Sequence, residues 1–164
     1  MNFLDAAASA LLFIAPAYVA NAAPLLFLSL FRVRHPIDFG LTLPDGTRLF
    51  GDSKSWEGLL AGIATGTAVG LILGDFLRGL ILSTGSMLGD LAASFAKRRL
   101  GLMPGQPLPL VDQLDFLAGA LSLGALLGYT LSFHEIVLLI SITPPIHLAS
   151  NVVAYYLGLK DRPY

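Results

Sequence analysis

No cysteine occurs in the 164 residues, which excludes disulfides, thiolate nucleophiles and Cys-ligated zinc. Charge is nearly as scarce: 13% of residues are Asp, Glu, Lys or Arg, with a net charge of −1. No global basic field is available to attract nucleic acid. The three histidines form no zinc set. His134-Glu135 lacks a second histidine where a zinc-protease motif needs one, since that position is Leu138. His35 and His147 have no ligand spacing to each other. What remains is apolar: 55% of residues are hydrophobic and the mean hydropathy is +0.73.

Several apolar runs approach the roughly 20 residues needed to cross a bilayer. The chain reads as a single domain, residues 1–164, of an all-α integral membrane protein with about five transmembrane helices. The spans are Leu4–Phe31, Glu57–Leu80, Ser83–Lys97, Phe116–Ser132 and His134–Leu157. Pro16 and Pro24 should kink the first, and Pro144-Pro145 should interrupt the fifth. Between the first two spans, Arg32–Trp56 is polar, with a short hairpin expected around Asp45-Gly46. A linker containing Pro104, Pro107 and Pro109 precedes the fourth span.

The third span is the short one, since fifteen residues rise only about 23 Å against a core of roughly 30 Å. Cation placement supports its crossing. It puts Arg32, Arg34, Arg48, Lys54, Lys97, Arg98, Arg99, Lys160 and Arg162 on one side and Arg78 on the other. The positive-inside rule then sets the amino terminus outside and the carboxyl terminus in the cytoplasm of a cell-membrane protein. Ala20-Asn21-Ala22 resembles a signal-peptide cleavage site, but Asp5 stands where a basic leader belongs and the apolar run continues to Phe31. An uncleaved span is expected.

Against this oil one stretch stands out, Gly89-Asp90 through Arg99, followed by Asp112-Gln113-Leu114-Asp115. On a helix, Asp90, Ser94, Lys97 and Arg98 share a face at i, i+4, i+7 and i+8, and Asp112 shares one with Asp115. Carboxylates suit a hard divalent cation such as Mg2+, while lysine and arginine suit phosphate. The combination suggests a metal-nucleotide site at a membrane surface.

Two elements carry a resemblance. Gly51-Asp52-Ser53-Lys54-Ser55-Trp56-Glu57-Gly58 is similar to the Ser-Pro-x-Lys-Thr-Trp-Glu/Gln-Gly element of the phosphatidate cytidylyltransferases. Gly89-Asp90, Ser94, Lys97-Arg98 and Asp112-x-x-Asp115 resemble that family's Gly-Asp-x-x-x-Ser-x-x-Lys-Arg and Asp-Arg-x-Asp signature. The order of the two is the family's order. An early Asn21-x-x-Pro24 and a Thr143-Pro-Pro-x-His147 ending with Asn151 bring the chain closer to the archaeal branch, the CDP-archaeol synthases. One departure stands out: the family's His-Gly-Gly and the arginine between its aspartates are missing from residues 107–115, Pro-Leu-Pro-Leu-Val-Asp-Gln-Leu-Asp. This argues against an ordinary diacyl phosphatidate enzyme.

The resemblance implies a Mg2+-dependent enzyme that condenses CTP with an isoprenoid glycerol phosphate lipid and releases pyrophosphate. Both reactants are anionic, so charge neutralisation and in-line alignment are the demands, and no strong general base is needed. Asp112 and Asp115 are the expected primary metal ligands, with Asp90 completing the site. Lys97 and Arg98 meet phosphates, Ser94 donates a hydrogen bond and Lys54 reaches the triphosphate. Trp56 walls the nucleotide pocket, Gly58 admits close backbone approach, and Asn21 and Pro24 contribute from the first span. A homo-oligomer is counted among the expected partners, beside CTP, the lipid phosphate and the bilayer.

Plainer readings compete. Asp112 and Asp115 alone would serve as helix caps, and Lys97-Arg98-Arg99 alone as a topology signal. Lys54 and Trp56 singly would be interfacial anchors, and Asn21 a helix-packing residue. Asp90 is harder to dismiss, because an acid at the centre of a span costs roughly 2.5–3.5 kcal/mol on insertion scales. Asp75 and Arg78 should pair, Arg32 and Arg34 stop transfer, and Gly62, Gly66 and Gly70 form a packing stripe. A small transporter or ion-pathway subunit, and a non-catalytic assembly factor, are the alternative function classes.

Overall fold

The computed structural model describes residues 3–31, 33–103, 106–160 and 162. Arg32 and Pro104, read above as a stop-transfer cation and a linker residue, lie outside the described residues. Five helices follow in order: α1 (Phe3–Phe31), α2 (Trp56–Ile72), α3 (Phe76–Arg99), α4 (Val111–Leu126) and α5 (Phe133–Tyr156). Three of them, α1, α3 and α5, are long and apolar enough to cross a membrane. Helices α2 and α4 have 17 and 16 residues, about 26 and 24 Å. Large apolar side chains face outward along the bundle, including Leu60, Ile72, Leu126 and Val153. An apolar exterior over a packed interior is that of an integral membrane protein.

Three boundaries differ from expectation. The second span ends at Ile72 rather than Leu80, because Gly74 turns the chain at φ +80° and Asp75 caps a new helix by accepting from the Arg78 amide at 2.9 Å. The third helix gains those residues, reaches 24 and rises about 36 Å, so its expected shortness disappears. The fourth begins at Val111, which places both Asp112 and Asp115 inside it. Its N-cap position is Leu110, which supplies no side-chain cap.

The prolines do not break their helices. Helix α1 is continuous through Pro16 and Pro24, and α5 through Pro144-Pro145. Pro24 removes the amide that the Ala20 carbonyl would otherwise accept. Gly62 packs there closely enough that a Cβ would stand 2.8 Å from that oxygen. Gly58, Gly62, Gly66 and Gly70 are all buried, so the stripe is the surface on which α2 meets α1 and α3. In α5, Thr143 donates back to the Leu139 carbonyl and is met by the Tyr18 hydroxyl at 2.6 Å.

Helix α3 packs on α1, α2 and α4, while α5 rests on α1 and α4. The core joins Ala10, Ile14 and Ala17 to Leu82, Phe116, Leu117, Ala120 and Leu139. Segment 33–55 is a loop with isolated bridges at Thr42–Arg48 and Pro36–Ser55, and no strand forms among the described residues. The Asp45-Gly46 reversal is present, closed by Gly46 N–H to the Leu43 carbonyl at 2.9 Å.

Candidate active site

The loop is organised by an acid that sequence reasoning did not single out. Asp38 is buried and accepts from the Gly40, Phe50 and Gly51 amides and from the Arg48 guanidinium. These donors hold its carboxyl well below the usual carboxylate range, against the opposing effect of burial. Arg99 fastens the loop to the end of α3 through Asp45 at 2.7 Å, the Thr47 hydroxyl and the Arg48 carbonyl. Glu57, at the start of α2, accepts from the His35 backbone at 2.9 Å and also bonds its ring. So fixed, the loop delivers Lys54 to α3, where its ammonium bonds both oxygens of Asp90 at 2.6 Å.

A second lysine–aspartate pair lies beside the first. Lys97 donates to Asp112 at 2.6 Å, and the other Asp112 oxygen accepts the Leu108 amide at 2.8 Å. Glycines let these helices approach: a Cβ on Gly89 would collide with the Asp115 carbonyl, and one on Gly119 with the Gly85 carbonyl. Asp115 thereby comes within electrostatic reach of Asp90, Lys54 and Asp112. Its carboxylate accepts the Phe116 amide at 2.6 Å. Among the described residues, no three His, Asp or Glu side chains already form a metal-holding group. Asp90 and Asp112 are turned to their lysines instead.

Three consecutive cations at the end of α3 point three ways, as 100° per residue requires. Lys97 takes Asp112 and Arg99 takes the loop. Arg98 between them is buried, donates from Nη2 to the Met103 carbonyl at 3.1 Å, and keeps Nε and Nη1 without a hydrogen-bond partner among the described residues. Buried guanidinium donors left open in this way suit an anion. Ser94, one turn before Arg98, is also buried.

A small cleft unites four predicted residues, Pro24 of α1, Lys54 of the loop, Gly58 of α2 and Asp90 of α3, with Leu28 and Ser55 beside them. Asn21 precedes Pro24 by one helical turn and is half-buried. Trp56 is not among the cleft's lining residues. Its ring packs against Phe39, centroids 6.3 Å apart, because Trp56 opens α2 on the side turned to the loop.

The family model for CarS-like CDP-archaeol synthase matches residues 3–164. The chain belongs to this family. A CDP-archaeol synthase of Thermofilum pendens is 46% identical over 96% of this chain and 81% of its own length. That of Aeropyrum pernix is 43% identical over 98% and 94%. A solved intramembrane enzyme for archaeal membrane lipids biosynthesis is 42% identical, with a TM-score of 0.79 over 89% of this chain and 94% of that one. Membership in the CDP-archaeol synthase family makes the chain a cytidylyltransferase, an enzyme acting at the membrane on CTP and lipid. The transporter and assembly readings fall with it.

A residue outside the family motifs quoted above, Lys160, also approaches the site, through two residues of the carboxyl-terminal motif. Lys160, beyond the end of α5, donates to Asn151 at 2.7 Å, and Asn151 meets the His147 ring at 3.3 Å. Burial pulls the Lys160 ammonium below the usual lysine range, with Asp112 acting in the opposite direction. His147 is within electrostatic reach of Lys160, Asp112 and Asp90. The sequence signal for His147 and Asn151 is the Thr143-Pro-Pro-x-His147 ending with Asn151. Lys160 itself was legible only as a topology cation.

Proposed function

We propose that the chain transfers the cytidylyl group of CTP to 2,3-bis-O-geranylgeranylglyceryl phosphate, forming the CDP-activated ether lipid. An oxygen of the lipid phosphate attacks the α-phosphorus, the bond to the β-phosphate oxygen breaks, and pyrophosphate leaves. The observation that carries this reading is the meeting of Lys54 with Asp90 and Lys97 with Asp112 beside Asp115. Three carboxylates and two ammonium groups gather there from the loop, α3 and α4.

The donor set fits Mg2+: Asp90, Asp112 and Asp115 are hard oxygen ligands, and the two lysines bonded to them mark places that need positive charge. Bound there, Mg2+ supplies neutralisation of the triphosphate and of the departing pyrophosphate. Lys54 and Lys97, released from their aspartates, reach phosphate oxygens, and Arg98 offers its two open donors to the same anion. Ser94 donates a hydrogen bond beside them. Pro24 and Gly58 shape the cleft wall, and Asn21 stands one helical turn before Pro24 on α1. The cation excess of this end favours the cytoplasmic side, with the amino terminus outside, so CTP arrives from the cytoplasm and the prenyl chains from the lipid.

The test is incubation of purified protein with CTP, Mg2+ and either the bis-geranylgeranyl or a diacyl glycerol phosphate. Mass detection of a CDP-lipid from the isoprenoid acceptor is the expected result. Preference for the diacyl acceptor would move the chain to the phosphatidate reading, and no CDP-lipid from either would reject both.

A further inference from the structure

The chain beyond α5 turns back on the helix instead of running into solvent. Gly158 adopts φ +70°, its amide bonds the Tyr155 carbonyl at 2.9 Å, and the Leu159 amide bonds the Ala154 carbonyl at 2.9 Å. This reversal closes the helix and returns Lys160 to Asn151, nine positions earlier. Lys160 is half-buried. Its environment differs from that of the other two lysines of the site. Lys54 and Lys97 each bond a carboxylate, whereas the hydrogen bond described for Lys160 goes to a neutral amide. Asn151 is itself braced by His147 one turn before it. An ammonium has three donors, so this bracket fixes the group and leaves donors to offer.

The charge of Asp112 is felt at Lys160, and those of Asp112 and Asp90 at His147, which braces Asn151. A half-buried cation within electrostatic reach of Asp112, bonding no carboxylate among the described residues, has the character of a receptor for a second anion. Two phosphate-bearing substrates must meet here, and Lys54, Lys97 and Arg98 are supplied by the loop and α3. From the α5 side comes Lys160.

We infer that Lys160, bracketed by Asn151, binds a phosphate oxyanion of one of the two substrates and so brings the reversal after α5 into the active site. This rests on the cytidylyl-transfer reading, so the experiment begins by confirming CDP-lipid formation by the unaltered protein; failure at that step rejects the transfer reading. Separate KM values for CTP and for the lipid phosphate are then measured for Lys160→Met, Lys160→Arg and Asn151→Ala, with direct binding of CTP and thermal melting alongside. Lys160→Met is expected to raise one KM about tenfold with kcat within about twofold and melting unchanged. Lys160→Arg restores most of the loss, and Asn151→Ala raises the same KM by a smaller factor. A rise confined to the lipid phosphate assigns the group to the acceptor. A rise for CTP with weakened CTP binding assigns it to the nucleotide. If neither KM moves, or if arginine rescues nothing, the inference is overturned. Should Lys160→Met fail to fold, the Arg and Asn151 variants decide on the same criteria.

Discussion

At the end of the bundle where α1, α3 and α5 finish, Lys54 bonds an aspartate 36 positions away and Lys97 one 15 positions away. At the opposite end, Asp75 caps its own helix and lies 3.9 Å from the Arg78 guanidinium three residues on, with the Tyr129 hydroxyl at 3.4 Å. Arg78 also lies over the Phe13 ring, 5.6 Å from its centroid. Both ends pair acid with base. The Asp75–Arg78 pair closes a turn between neighbours in sequence, so its contribution is local and structural. The long-range pairs bind separate segments around three carboxylates whose mutual repulsion is offset by the two lysines. Charge that is expensive at membrane depth is retained where it has a use.

That contrast can be broken most sharply at the carboxylates. Asp115→Asn should lower CDP-lipid formation on the order of 100-fold or more while the protein still extracts and melts normally; a mutant with full CTP consumption would remove Asp115 from the site. Next in size, Lys54→Met and Lys97→Met should each raise the KM for CTP about tenfold or more, read by steady-state kinetics. If the lysines only glue segments together, melting will fall and KM will not.

Asp38→Asn should act on stability, since a buried carboxylate that accepts three backbone amides and a guanidinium loses hydrogen bonds worth about 1.5–3 kcal/mol. The folded carboxyl titrates below its unfolded value of about 4. Its stabilisation is therefore complete above that value and disappears as pH falls through the folded pKa. The melting gap between wild type and Asp38→Asn should be level from neutral pH to about pH 5 and narrow below about pH 4. The smallest effect belongs to the far end: Asp75→Ala should cost about 1 kcal/mol through the lost cap and leave kcat and both KM values unchanged.

The sequence made the far end and the helix packing easy to read, because both are local. Asp75 and Arg78 sit at i and i+3, and the Gly62, Gly66 and Gly70 stripe repeats every four residues. The boundary between α2 and α3 was misplaced for a physical reason: Leu71-Ile72-Leu73 and Phe76-Leu77 are apolar on both sides of Gly74-Asp75, so hydropathy runs across the turn. Spacing and resemblance single out Asp90, Asp112 and Lys54, yet which lysine each acid meets depends on which helices cross closely. Gly89 and Gly119 decide that crossing. Asp38 has no periodicity to betray it in a polar loop, and Lys160 reaches the site only through a chain reversal that hydropathy cannot register.

The central claim is that carboxylates of α3 and α4 work as one unit. A double-mutant cycle on residual CDP-lipid formation tests it most directly, using Asp90→Asn, Asp115→Asn and the pair, with folding checked by melting. The account predicts that the double variant loses little more than the worse single one. Losses that multiply would mean that the two acids act independently, and would contradict it.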